Sequence, residues 1–344
     1  MTDSSAGPAQ DPDAQPVHTL DSVVAALVAG EGDLSDDQFR VLSDLGSGDA
    51  DRFHDALAGL DPPARFALLN ALVERERAGR LLDFSAIYRT ALRDDDPGVR
   101  ALVVAGLATC EDAGVIPVLL DAARSDADET VRAEACIALG PFALRAELGR
   151  LRPAAGAAVV DGLRNLAEDA SEDPAVRAAA VAGLGAVAEP WVQDLIYDAY
   201  EAADPAMRVG ALQAMGRTAD DYWLPTLINA MDSADSDERY SAARGAGEIA
   251  SEDAVIPLAA LLADDALDVV EAAAAALGEI GGPTAVEQLE EYGSHPDPAV
   301  RAAIEAGLQA AAFTDDPLGL ATMGGPFAPP LGGPQPAPAS PADG

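Results

Sequence analysis

The sequence predicts an all-α chain, a right-handed α-solenoid of about eight stacked antiparallel helix pairs. Three observations carry this. An arginine closes a recurring "DPxxR" outline at Arg177, Arg208 and Arg301, with Arg239 in "SDER" and Val270 in register, all 31 residues apart. A fixed period of that size marks a repeat array. Each period holds two apolar segments with helical spacing. No stretch alternates with period 2 over a strand length, which argues against β structure.

The repeat begins earlier, with wider intervals, at Arg65 in "DPPAR", Arg100 in "DPGVR" and Arg132 in "DETVR". The first helix of each unit is short and apolar, as in "VIPVLLDAA" at 115, "WLPTLINAM" at 223 and "VIPLAALLA" at 255. Its Pro sits near the start, where a missing N–H costs least. The second helix follows an Asp that can cap it and often a Pro in the first turn. In "DPAVRAAAVAGLGAVA" at 173, Ala and Gly allow close approach of neighbouring helices. One such pair has two apolar faces and cannot bury both alone, whereas stacked pairs bury a continuous core.

These residues resemble the short HEAT-like repeats first described in bilin lyases. "DPAVRAAAVAGLG" at 173 and "ASEDAVIPLAALL" at 250 are similar to the two halves of that consensus. The resemblance covers roughly residues 61–312 and implies the solenoid. For function it implies either a scaffold for protein–protein interaction or, as the alternative, a bilin or tetrapyrrole lyase-like enzyme or ligand-handling protein. The fold alone does not choose between them.

Around the array the sequence predicts a disordered leader (1–18), an irregular helical N-terminal cap (19–60) and a Pro/Ala/Gly-rich disordered tail (313–344). An insertion at about 141–156 is read as a lengthened helix or a protruding loop. Phe313, Leu318, Leu320, Met323 and Phe327 give the tail a composition compatible with a docking motif or with a passive linker.

With 59 acidic and 21 basic residues, all of the latter Arg, the formal charge is −38. A GC-rich genome and a salt-rich cytoplasm are two competing explanations of this bias. Such a charge argues against nucleic acid, which needs a basic stripe, and against anionic membrane surfaces. A basic protein partner is compatible with it. The acidic N-terminus lacks the features of a signal peptide, no apolar run is long enough to span a bilayer, and two cysteines exclude a disulfide framework. The expected location is cytoplasmic.

The repeated pairs Asp96/Arg100, Asp173/Arg177, Asp204/Arg208 and Asp297/Arg301 are four apart and share helix faces. They are read as a structural ladder tying turns to the next unit. Deoxyhypusine hydroxylase, built from similar repeats, uses His-Glu pairs for iron. Here His18, His54 and His295 are scattered and none precedes Glu, which rules out a di-iron site of that pattern. The "DDD" at 94–96 reads as a solvated turn, so no metal, cofactor or catalytic residue is expected. Cys110 and Cys136 fall where second helices take small apolar residues and are read as packing groups.

The exposed face of the second helices supplies the candidate site. Positions one, five and nine after the Arg run from Ala101, Ala105 and Thr109, through Ala133 and Ile137, to Ala178, Ala182 and Ala186. Later units carry Val209, Gln213 and Arg217, then Tyr240, Arg244 and Glu248, then Glu271, Ala275 and Glu279. Gln213, Arg217, Tyr240, Arg244 and Glu248 are therefore the candidate partner-binding residues of an expected concave groove, since Tyr and Arg are enriched at binding hot spots.

Overall fold

A computed structural model of the chain describes residues 18–29, 34–78 and 82–315. The chain divides into two compact units, Met1–Gly245 and Ala246–Gly344. Among the described residues all regular structure is helical. The expected leader and tail fall almost wholly outside them, as does the proposed docking motif beyond Phe313.

The first unit opens with α1 (Leu20–Val28), α2 (Asp36–Leu42) and α3 (Ser47–Leu57). Thr19 and Ser35 form capping boxes with Ser22 and Gln38, so each start signal is satisfied reciprocally. The repeat helices follow: α4 (Pro62–Arg77), α5 (Ser85–Ala91), α6 (Pro97–Leu107), α7 (Ile116–Ser125), α8 (Glu129–Glu147) and α9 (Pro153–Glu168). Next come α10 (Pro174–Leu184), α11 (Pro190–Tyr200), α12 (Pro205–Arg217), α13 (Leu224–Ala230) and α14 (Ser236–Ile249), within which the unit boundary falls. The second unit continues with α15 (Val255–Ala260), α16 (Leu267–Ile280), α17 (Gly282–Tyr292) and α18 (Pro298–Asp315). The last helix extends through residues 313–315, which the sequence assigned to the tail.

Even-numbered helices are the second helices of the repeats. In the first unit α4 packs on α6, α6 on α8, α8 on α10 and α10 on α12, while α5, α7, α9 and α11 each pack on the even helix that follows. In the second unit α16 packs on α18, and α15 on α17. The core between layers is aliphatic: Val99, Val103, Val104 and Leu107 of α6 and Leu119 of α7 are buried, as are Val269, Leu277 and Leu289 of the second unit. Val270, where other repeats carry Arg, is buried too, so its methyls join the core instead of a turn.

Small residues set the spacing. A Cβ on Gly210 would lie 2.5 Å from the Ala178 carbonyl oxygen, and one on Gly216 would lie 2.4 Å from the Gly245 Cα. Both are closer than a Cβ is ever found, so glycine is what lets α12 close on its neighbours.

The extra residues before Arg177 resolve into longer helices. Helix α8 runs 19 residues with Pro141 inside it, and α9 runs 16. Gly149, at φ +66°, turns the chain between them. The extension is anchored: Arg145 covers the Phe142 ring at 5.1 Å and donates Nη2 to the Glu111 carbonyl at 2.7 Å.

Candidate functional site

The sequence places two kinds of residue on the repeats, and the structure separates their duties. The Asp of each "DP" caps its own helix. Asp96 accepts from the Val99 N–H at 3.1 Å, Asp173 from Ala175 at 2.8 Å, Asp204 from Ala206 at 2.9 Å and Asp297 from Ala299 at 2.8 Å. Each of these Asp residues is thus a helix cap. A carboxylate turned back onto the N2 or N3 amide points away from the following turn.

The arginines instead reach backward and forward. Arg100 donates Nη1 to the Asp94 carbonyl at 2.9 Å, Arg132 to Asp126 at 2.9 Å and Arg301 to His295 at 2.7 Å, each six residues back. Arg208 makes longer contacts to the Ala202 and Ala203 carbonyls, and Arg177 donates Nε to Ala167 at 3.2 Å. The forward partners are acids of the next repeat. Arg65 Nη2 meets Asp94 Oδ1 at 2.9 Å, and its Nε lies 2.8 Å from Oδ2 without hydrogen-bond alignment. Arg132 meets Glu172 at 2.8 Å, and Arg208 meets Glu238 at 2.5 Å. Asp94, Asp126 and Glu172 each also accept the N–H of the capping Asp that follows. One acid thus fixes the turn and receives the preceding repeat's Arg. The signal was present as "DDDP" at 94, "DAD" at 126 and "ED" at 172, one or two residues ahead of the cap.

Electrostatics follow this geometry. The Arg132 hydrogen bond, aided by the Asp173 N–H, holds the Glu172 carboxyl below its ordinary value against the effect of burial. For Asp126, burial acts to raise the value, but hydrogen bonds from Arg100 and the Asp128 N–H outweigh it and leave it lowered.

The expected binding face is only partly open. Ala178 and Ala182 of α10 are buried; Gly210 of α12 closes on the Ala178 backbone, and Arg217 of α12 reaches the Ala182 carbonyl. Arg217 is half-buried and donates Nη1 to the Ala182 carbonyl at 2.6 Å. Tyr240 is half-buried, while Arg244 and Glu248 are exposed along α14, the last of these in the second unit. Trp223 is buried, with Tyr222 edge-on to it and exposed; Trp191 lies beneath the Arg164 guanidinium.

What the first unit does open is a cavity of about 330 Å3 across α8, α10 and α12, reaching the start of α14. Ala178, Ala206, Val209 and Ile137 are among its apolar lining residues, and Gln213, Asp235 and Asp237 are polar ones. Ile137 is 38% exposed, high for a β-branched apolar residue in a helix interior. Of the five residues expected from sequence, Gln213 alone lines this cavity. Asp235 and Asp237 escaped the reading because they lie in the turn and first helical turn, outside the one-five-nine register. Asp235 is fixed there by accepting from the Asp237 N–H at 2.8 Å.

The thiols differ from a nucleophile's. Burial, reinforced by nearby acids, pushes both Cys110 and Cys136 up to about 12. The histidines are apart: His54 lies on α3, and His295 Nδ1 accepts from the Asp297 N–H at the start of α18. No helix among the described residues is long and apolar enough to cross a membrane.

No curated protein matches the sequence. Solved structures similar to the chain include human deoxyhypusine hydroxylase in complex with glycerol, at 21% identity over 78% of this chain and 99% of that one, with a TM-score of 0.37. The complex of CpcE and CpcF of phycocyanin lyase from Nostoc sp. is 17% identical over 66% of this chain and 94% of that one, with a TM-score of 0.42. A designed armadillo repeat protein in complex with the peptide (KR)4 is 20% identical over 57% and 99%, with a TM-score of 0.38. The family model for HEAT repeats matches residues 85–171 and 224–309, together half of the chain. With its capped helix pairs, period and turn-to-turn arginines, the chain belongs to the HEAT-repeat family.

Proposed function

We propose that the chain is a non-catalytic HEAT-repeat scaffold that holds a basic segment of a partner protein over α8, α10 and α12. The observation that carries this reading is the cavity itself: a lining rich in small apolar side chains together with Asp235 and the exposed Asp237. Small lining residues let a partner's backbone or short side chains come close. The two carboxylates favour Arg or Lys, and the net charge of −38 draws such a segment in. Gln213 supplies both a donor and an acceptor to fix register. The high thiol values of Cys110 and Cys136 support a binding role over nucleophilic chemistry.

The test is fluorescence anisotropy with a labelled peptide of alternating Arg and Ala at near-physiological salt. Comparison is with Asp235→Asn/Asp237→Asn and with Ile137→Arg, each checked for unchanged melting. Weakening of about tenfold or more in both supports the groove, that factor corresponding to about 1.4 kcal/mol. Equal affinity for all three proteins would mean diffuse attraction to an acidic surface and would end the proposal.

A further inference from the structure

A second cavity, of about 410 Å3, lies in the first unit where the end of α4 and the start of α5 meet the turn after α6. Three separated segments bring a ligand type to it: Glu76 from the last turn of α4, Asp83 just before α5, and Cys110 just after α6. One carboxylate oxygen of each acid and the Cys110 Sγ all lie within 4.8 Å of one another.

Each member is held in place by its own contacts. Tyr88 is fully buried and donates Oη to Glu76 Oε2 at 2.9 Å, which orients that carboxylate and leaves it further lone pairs. The Ser85 N–H donates to Asp83 Oδ1 at 2.8 Å, and the Asp83 backbone is tied to Ser43 and Asp44. Cys110 is 9% exposed and its thiol is free. Among the described residues only its backbone groups enter hydrogen bonds, with Leu107 and with Arg145 of the lengthened α8. A buried sulfur without a partner, turned into a cavity beside two carboxylates, is an arrangement that packing alone does not require. Two basic side chains lie nearby and both are engaged: Arg89 with Asp112 and the Gly114 carbonyl, and Arg145 with the Cys110 and Glu111 carbonyls.

We propose that Glu76, Asp83 and Cys110 bind a divalent cation of the zinc class, with the fourth coordination position open to water. The donor set selects for this class. Two carboxylates alone would suit magnesium or calcium, but a sulfur ligand favours a borderline-soft ion. Ligand atoms around tetrahedral zinc lie about 3.5 Å apart, given bonds of about 2.0–2.3 Å. With all separations within 4.8 Å, closure of no more than about 1.3 Å is required, and the exposed Asp83 side chain supplies it by rotation while its backbone stays tied to Ser43 and Asp44. On binding, the Sγ–H bond breaks, its proton passes to buffer, and a metal–sulfur bond forms. The local charges agree with this chemistry. Asp44, Glu111 and Asp112 line the same cavity, so acids crowd one another there. A cation offsets this crowding. The bound ion would tie α4 to the turn after α6.

The test uses the full chain at high salt, where diffuse binding to the acidic surface is suppressed. Cobalt(II) serves as the spectroscopic probe and zinc as the competitor. The expected result is a thiolate-to-cobalt charge-transfer band that saturates at one equivalent and is displaced by zinc. The band disappears in Cys110→Ser and persists in Cys136→Ser. Tyr88→Phe, which loosens Glu76, should weaken zinc by about tenfold. Alkylation of Cys110 in the Cys136→Ser protein gives a measurement that does not depend on the folding of Cys110→Ser. Zinc should slow it and magnesium should not. Absence of a thiolate band, or alkylation unchanged by zinc, would leave an adventitious ion only and overturn the site.

Discussion

Arg100 grips Asp126, 26 residues further along, by two parallel bonds: Nε to Oδ2 at 2.9 Å and Nη2 to Oδ1 at 2.8 Å. Both side chains are largely buried, and Asp126 also fixes the turn that leads into α8. The pair is thus a joint between repeats. Arg100→Ala should cost about 3 kcal/mol in urea denaturation, because it strands a partly buried carboxylate. A loss below about 1 kcal/mol would class the contact with ordinary surface ion pairs.

The same joints set an acid limit. Glu172 and Asp126 both titrate lower in the folded chain than when unfolded. The unfolded state therefore binds more protons, so their contribution is complete above the ordinary carboxylate range and fades as pH falls through the lowered values. Glu172→Gln should flatten this acid limb relative to the parent protein and leave the neutral region's slope unchanged. Parallel curves for the two proteins between pH 5 and 2 would refute the linkage; these pH values are approximate bounds from the ordinary carboxylate range.

Close helix approach makes a steric prediction. A methyl on Gly216 meets the Gly245 backbone at 2.4 Å, with no flexible side chain to yield. Gly216→Ala should destabilise by about 1–3 kcal/mol although it raises helix propensity. Gly48, with open space around its Cβ position, is the control, and its change to Ala should be neutral or stabilising. If both substitutions stabilise, the contact is not tight.

Much of this architecture was legible because repetition amplifies weak signals. The Arg period, the "DP" caps and the Ala/Gly spacing recur in register, so eight imperfect copies define one unit. The groove was less legible. Its register predicted exposure for Ala178, yet Gly210 on α12, which closes on it, sits some 30 residues away in sequence. The acids that receive the arginines were not legible from the Asp/Arg spacing, because the Asp four residues ahead serves as a helix cap. The Glu76, Asp83 and Cys110 cluster had no signal, because its three members belong to no shared motif.

The acid excess makes a prediction about salt. With a formal charge of −38, self-repulsion opposes the compact state, and added electrolyte screens it. Tm should rise as KCl is added. A flat response would assign the bias to genome composition instead of to a salt-rich setting.

The central claim concerns the cavity over α8, α10 and α12, and hydrogen exchange tests it most directly. The chain would be saturated with the alternating Arg and Ala peptide and compared with the free protein, following backbone amides by mass spectrometry. The account predicts slowed exchange concentrated in the segments around Ile137, Ala206–Gln213 and Asp235–Asp237, and loss of that pattern in Ile137→Arg. Protection spread evenly over acidic turns, or concentrated on the odd-numbered helices, would contradict it.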